Sequence, residues 1–298
     1  MILVAGATGT LGRRIVQGLI DRGEAVRVLA RPTSDHASLE RLGAQVALGD
    51  LTEPASLQAA CRDVASVIST ASVSKTGTDT LECVDLQGNL NLIAAARAAG
   101  ARRFIFVSTR NAAADSPSPL FRAKAGVERA LRDEADMAYT ILQPGGFMDV
   151  WFPMFVEGPA FSGQPVTLVG ESRRRHAWVA EQDVAAFAVA ALAHEAARNA
   201  SIVIGGPAAV TFTEVVEEYE RAAGWPIPVR RVAPGEPIPG VPEAVARMAA
   251  ALETFDSLVP MEDTSRQYGV TLTTVREFVR GRHVAWAGAS SPPGEPRR

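Results

Sequence analysis

The residues best suited to chemistry come first in the chain: Gly6-Ala7-Thr8-Gly9-Thr10-Leu11-Gly12, entered from the apolar run Ile2–Ala5 and followed at once by a helical pattern. In that setting Gly6 can take a tight turn, Gly9 lets the backbone approach a pyrophosphate, and Gly12 lets helix and strand pack closely. The helix N-terminus then offers N–H groups and the positive end of its dipole to phosphates. The first gap is one residue longer than in GxGxxG, which lengthens the turn. Dinucleotide binding is the chemistry this pattern implies.

The end of the second apolar run separates the two nicotinamide dinucleotides. An acidic residue there binds the adenosine ribose 2′-hydroxyl, whereas an arginine accommodates a 2′-phosphate. Here Val26–Ala30 ends in Arg31-Pro32-Thr33-Ser34, with no carboxylate before Asp35. Arg31 can pair with a phosphate to which Thr33 and Ser34 donate, and Arg13 can reach the same region. NADP(H) is therefore the expected cofactor, although Arg31 also reads as a solvated loop charge. Asp50, in Gly49-Asp50-Leu51, can accept from the adenine amino group, cap the helix from Pro54, or form an Asx-turn. Backbone amides of Pro144-Gly145-Gly146-Phe147, after the sixth strand, can meet the nicotinamide carboxamide. Thr8, Thr10, Leu11, Leu51, Thr70 and Ala71 complete the expected cofactor-binding set.

The elements that position these residues alternate. Short apolar runs predict strands at Ile2–Ala5, Ala25–Ala30, Gln45–Leu48, Ser66–Thr70, Arg103–Ser108 and Tyr139–Gln143. Helical patterns lie between them at Leu11–Arg22, His36–Leu42, Pro54–Cys61, Thr80–Ala99 and Ala123–Glu134. Such alternation predicts an α/β, doubly wound parallel sheet of Rossmann type with ligands at the strand C-termini. The expected division is a cofactor domain over residues 1–150, a smaller α+β substrate lobe over 151–285 whose elements return to the main sheet, and a disordered tail over 286–298. In the lobe we expect a helix at Asp183–His194 with Asp183 as its cap, and a strand at Ser201–Ile204. Thr213 is read as the N-cap of a helix ending at Gly224, with further helices near Glu243–Val259 and Thr273–Arg280.

The run after Gln143 is too aromatic for a connecting loop: Phe147, Met148, Val150, Trp151, Phe152, Met154 and Phe155. A mixture of lid and core is expected, with Phe147, Trp151, Phe155 and His176 as substrate-binding candidates. Arg173-Arg174-Arg175-His176 reads more readily as a solvated hairpin than as a steering patch. Bulk properties narrow the class. The 298 residues carry a net charge of −3, with no basic stripe, which argues against nucleic acid and anionic membranes as partners. Two cysteines, outside any Cys/His cluster, argue against a disulfide framework or a metal. A strand starting at Ile2 leaves no room for a signal peptide, and no apolar run is long enough to span a bilayer, so a cytoplasmic, soluble protein is expected. A small-molecule substrate is the expected partner; a homodimer or a regulatory protein partner is compatible.

Taken in order, several segments resemble the short-chain dehydrogenase/reductase superfamily, specifically its atypical NmrA-like branch. They are the glycine turn, Gly49-Asp50-Leu51, Val84-Asp85-Leu86-Gln87-Gly88-Asn89, Arg103-Phe104-Ile105-Phe106-Val107-Ser108, Lys124-Ala125-Gly126-Val127-Glu128, Leu142-Gln143-Pro144-Gly145-Gly146-Phe147 and Asp183-Val184-Ala185. The resemblance implies a Rossmann domain, a substrate lobe, and a Ser–Tyr–Lys set in which the Tyr lies four residues before the Lys. Ser108 and Lys124 match, but the Tyr position is Leu120, and the chain's tyrosines are Tyr139, Tyr219 and Tyr268. Two implied functions stay open. One is a reductase of small apolar or aromatic carbonyls or enones that relies on Lys124; the other is a non-catalytic NADP(H)-binding redox sensor. Lys124 also reads as an exposed partner of Glu128 at i+4, and Ser108 as a strand-end hydroxyl satisfying backbone.

Overall fold

Six of the expected strands form, because uninterrupted Val, Ile, Leu and Phe runs can bury both faces of a parallel strand. The computed structural model describes residues 1–73, 79–133 and 136–283, so the expected tail at 286–298 lies outside the described residues. The strands are β1 (Ile2–Ala5), β2 (Val26–Ala30), β3 (Gln45–Leu48), β4 (Ser66–Ser69), β5 (Arg103–Val107) and β6 (Ala138–Pro144). Every residue of β1 and β5 is buried, whereas β3, at the sheet edge, is partly exposed. With β8 (Ala200–Ile204) they make a seven-stranded parallel sheet ordered β3-β2-β1-β4-β5-β6-β8. That order reverses direction between β1 and β4, which opens a crevice at their C-terminal ends, where α/β sheets bind ligands.

Crossover helices are α1 (Thr10–Asp21), α2 (Ala37–Arg41), α3 (Pro54–Ala60), α4 (Asn89–Ala98) and α5 (Pro119–Asp133), with a π-helical segment, Glu82–Gly88, leading into α4. Ile15, Val16 and Leu19 form the buried stripe of α1. The chain then runs through α6 (Met148–Phe152), a π-helical turn at Pro153–Glu157, α7 (Gly158–Phe161), β7 (Val166–Val169), α8 (Glu181–Ala193), β8, α9 (Phe212–Ala223), β9 (Val229–Val232), α10 (Glu243–Leu252), α11 (Glu262–Tyr268) and α12 (Val275–His283). Two compact units result. Among the described residues, the first comprises those of Met1–Pro144, Glu181–Ile204 and Arg266–Val270; the second comprises Gly145–Ala180, Gly205–Ser265 and those from Thr271 on. No described helix is long and apolar enough to cross a membrane.

Within the second unit, β7 and β9 pair in a separate parallel ribbon that the sequence did not announce. Its core is an aromatic cluster: Trp151 stacks on Phe155 at 5.2 Å, Trp178 meets Phe212 at 5.1 Å, and Phe152 meets Phe278 at 5.7 Å. Two caps differ from expectation. The cap of α9 is Thr211, not Thr213, because Thr211 has a carboxylate three residues on: its hydroxyl accepts the Glu214 N–H and Glu214 accepts the Thr211 N–H. Asp183 lies buried inside the first turn of α8, which starts two residues earlier, so it does not precede the helix as a cap. Gly224 ends α9 in left-handed backbone, as expected. Helix α10 stops at Leu252, short of Val259.

Candidate cofactor and reduction site

The glycine turn is built by close approach. Gly6 has φ +78°, and a Cβ there would lie 2.6 Å from Thr70 Oγ1 and 2.8 Å from the Ala71 nitrogen, so only glycine lets β1 and β4 exit side by side. A Cβ at Gly12 would overlap the Gly6 carbonyl oxygen, which is how α1 seats against the turn. Gly9 is exposed at the start of α1, and no side chain caps that end. Arg13 braces the turn: its Nε donates to the Thr8 carbonyl at 3.0 Å and Nη2 to the Asp35 carbonyl at 3.0 Å, and it also bonds Ser38. An uncapped helix end behind exposed glycine backbone fits a pyrophosphate.

A cleft opens beside this turn within the first unit. Of the expected residues, Gly6, Thr8, Arg31, Ser34, Asp50, Leu51 and Ala71 line it, with Gly49 beside them, and so does Asp79, which sequence reasoning missed. Gly9, Thr10, Leu11, Gly12, Thr33 and Thr70 are not among its lining residues. Arg31 Nη1 donates to Asp79 Oδ2 at 2.9 Å. Asp50 takes its Asx-turn reading: Oδ1 accepts both the Thr52 N–H and hydroxyl at 2.8 Å.

Ala71 connects the cleft to a second cluster in the same unit. Its carbonyl oxygen lies 3.4 Å from Lys124 Nζ, which is 3.3 Å from Asp85 Oδ1 and 4.9 Å from the centre of the Phe106 ring. Asp85 Oδ2 also accepts the Val73 N–H at 2.9 Å, tying the segment after β4 to the π-helical turn. Lys124 therefore does not pair with Glu128, because α5 turns its ammonium inward. Gly126 permits the approach: a Cβ there would come 2.6 Å from Leu86 on the π-helical segment. Burial pulls the Lys124 ammonium below its ordinary value, and the Asp85 carboxylate opposes that pull.

Ser108 directly follows β5, its hydroxyl donating to Glu128 Oε1 at 2.5 Å rather than to backbone. The same carboxylate accepts from Gln143 Nε2 at 2.9 Å and Arg132 Nη2 at 2.8 Å. Leu120 lies in the first turn of α5, one turn before Lys124 and on the same helical face, and as a leucine it has no hydroxyl to offer. Tyrosines elsewhere are engaged: Tyr219 donates to Glu157 at 2.6 Å, Tyr268 packs on Phe187 and His194, and Tyr139 belongs to β6.

The remaining candidates belong to the second unit, apart from Pro144, which ends β6 and whose carbonyl accepts the Arg110 N–H at 3.0 Å. Gly145-Gly146-Phe147 starts that unit; Gly146 lies against the Trp178 ring, and its carbonyl accepts the Val179 N–H. Trp151 is core. Phe155 and His176 line a small cavity with Thr167, Arg174, Phe212 and Glu253. The Glu253 carboxyl is raised above its ordinary value by burial. Arg173, Arg174 and Arg175 each lie within 4.0 Å of a carboxylate, at 3.6 Å from Glu171, 3.9 Å from Asp256 and 2.7 Å from Glu214. Among the described residues, no group of three or more His, Cys, Asp or Glu side chains could hold a metal.

Comparison with known proteins agrees with this geometry. A family model described as NAD(P)H-binding matches residues 6–195. The photosystem II assembly factor Ycf39 of Synechocystis sp. is 35% identical over 223 residues, covering 75% of this chain and 68% of that protein. The NAD(P)H azoreductase of Xenophilus azovorans is 30% identical over 298 residues, covering 97% of this chain and 100% of that one. Among solved structures, the NADPH-dependent quinone oxidoreductase QOR2 of Escherichia coli, complexed with NADPH, superposes with a TM-score of 0.79 at 22% identity over 94% of this chain and 99% of that one, a likeness of fold. The chain belongs to the NAD(P)H-binding family, as its NmrA-like motifs imply.

Proposed function

We propose that the protein is an NADPH-dependent reductase of a small apolar or aromatic acceptor such as a quinone, azo compound or enone. The observation that carries this reading is the buried Lys124 ammonium, held by Asp85 beside Ala71 on the wall of the dinucleotide cleft. Bound NADPH would supply a hydride. Gly6, Gly9 and Gly12 would hold its pyrophosphate, with Thr8, Thr10 and Leu11 in the same turn. Arg31, Thr33 and Ser34 would hold its 2′-phosphate, Asp50 and Leu51 its adenine end, and Thr70, Ala71, Ser108 and Lys124 its nicotinamide ribose. Pro144, at the end of β6, is proposed for its carboxamide.

Lys124 Nζ holds the proton that the reduced acceptor takes, and its lowered pKa eases that release. Asp85 is a positioning residue, since its carboxylate both anchors the ammonium and keeps it charged. Ser108, whose hydroxyl proton is given to Glu128, offers lone pairs and would accept from a ribose hydroxyl of the cofactor. In the second unit, Phe155 and His176 line a small, partly aromatic cavity whose walls suit a flat, apolar group, whereas Trp151 is interior. The names of the azoreductase and quinone oxidoreductase relatives support this substrate class.

A second reading is favoured by the 35% identity to the assembly factor: an NADP(H)-binding protein that assists assembly without turnover. The absence of tyrosine at position 120 is compatible with both. NADPH oxidation followed against quinones, azo dyes and enones separates them. Turnover that falls by about 10² or more in Lys124→Met, with NADPH affinity retained, supports proton transfer by Lys124. Tight NADPH binding with no turnover on any acceptor class would refute the reductase and leave the second reading.

A further inference from the structure

Arg31 does not face the cleft alone. Its guanidinium donates to Asp79, 48 residues further along the chain, and both side chains line the cleft together with Ser34. The pair is half-open to solvent, with 40% of the Arg31 side chain and 34% of the Asp79 side chain accessible, so a ligand can reach either member. We propose that Asp79 is a specificity-determining residue that holds down the preference for NADPH over NADH. This rests on the assignment of Arg31 to the 2′-phosphate.

The argument is one of competing partners. A 2′-phosphate reaching Arg31 must displace a carboxylate already hydrogen-bonded to it, or share the guanidinium with a like charge a few ångströms away. A ribose 2′-hydroxyl faces neither penalty. It can donate to Asp79, an acceptor-only group, while the ion pair stays intact. Rossmann chains that select NADH place an acidic residue at the end of the second strand for that hydroxyl. Here an arginine directly follows the strand, and a carboxylate arrives from a different segment of the chain. The cleft therefore contains both recognition elements, bonded to each other, and the balance between cofactors is set by the pair.

Calorimetric titration of NADPH and NADH into the full chain and into Asp79→Asn and Arg31→Ala tests this. Asp79→Asn should tighten NADPH by about tenfold, the worth of relieving one charge-assisted hydrogen bond, and leave NADH unchanged or weaker. Arg31→Ala should lower the ratio of NADPH to NADH affinity by a similar factor. If Arg31→Ala lowers the ratio but Asp79→Asn leaves it unchanged, the role of Asp79 is overturned while that of Arg31 stands. If Arg31→Ala leaves the ratio unchanged, the Arg31 assignment fails and the inference with it.

Discussion

The buried pair of Lys124 and Asp85 makes the sharpest quantitative test. The lysine side chain is 7% accessible, the aspartate 0%, and the charges are 3.3 Å apart. At an effective dielectric of about 20 their attraction is about 5 kcal/mol, most of which offsets the desolvation of both groups. Removing either partner alone should therefore cost about 3–5 kcal/mol, since one charge stays buried. Removing both, in Lys124→Met with Asp85→Asn, should cost less than the two single changes added together. The sign of the pH dependence follows from the same geometry. Lys124 is already held below its unfolded value of 10.5 by burial, and Asp85→Asn removes the carboxylate that opposes this, so the folded value falls further. Where the folded value lies below the unfolded one, the unfolded state binds more protons and stability rises with pH. The Asp85→Asn deficit should thus be largest at neutral pH and below, and shrink as pH climbs toward 10.5. Urea unfolding of the four proteins across that range measures it. Additive single changes, or a deficit that does not shrink with pH, would refute a charged buried pair.

Three further outcomes follow from local geometry. Gly12→Ala should abolish NADPH binding and lower the unfolding midpoint, because its Cβ would overlap the Gly6 carbonyl; isothermal titration and urea unfolding check both. Thr211→Ala removes half of the capping box on α9 and should cost about 1 kcal/mol of stability, whereas Thr213→Ala should cost little. Burial pushes the Cys61 thiol up to about 11, while Cys83 is exposed, so a thiol reagent at mildly alkaline pH should label Cys83 alone until the protein is unfolded.

The sheet was legible because a buried parallel strand needs apolar residues on both faces, and Ile2–Ala5 or Arg103–Val107 satisfies this without interruption. The short ribbon of β7 and β9 escaped notice for the opposite reason: Val229-Arg230-Arg231-Val232 is largely exposed and has no apolar run to read. At the candidate site, glycines and Arg31 could be assigned from position relative to strand ends. Asp85 and Asp79 could not. A lone aspartate in a helical stretch reads as solvated, and it took the close approach at Gly126 to bury Asp85 under Lys124. The partner of Arg31 comes from another segment of chain, a pairing that strand order creates and local pattern does not reveal. The aromatic run after β6 was recognised as unusual, and its division is now visible: Met148, Trp151 and Phe152 are interior, while Phe155 also borders cavities.

The first unit is not continuous in the chain, and this governs how it can be made. Its seventh strand and α8 come from Glu181–Ile204, after the chain has already left to begin the second unit. Helix α8 covers α1, with Val189 against Gly18 and its carbonyl accepting from Arg22. On the ribosome, where chains emerge at about 5–20 residues per second, the nascent sheet must therefore wait with β6 as a bare edge and α1 uncovered. A fragment ended near residue 150 would be held in that unfinished condition, with an open edge strand that invites pairing between copies. The sheet that carries the glycine turn is thus completed by a strand made more than a hundred residues after the turn itself.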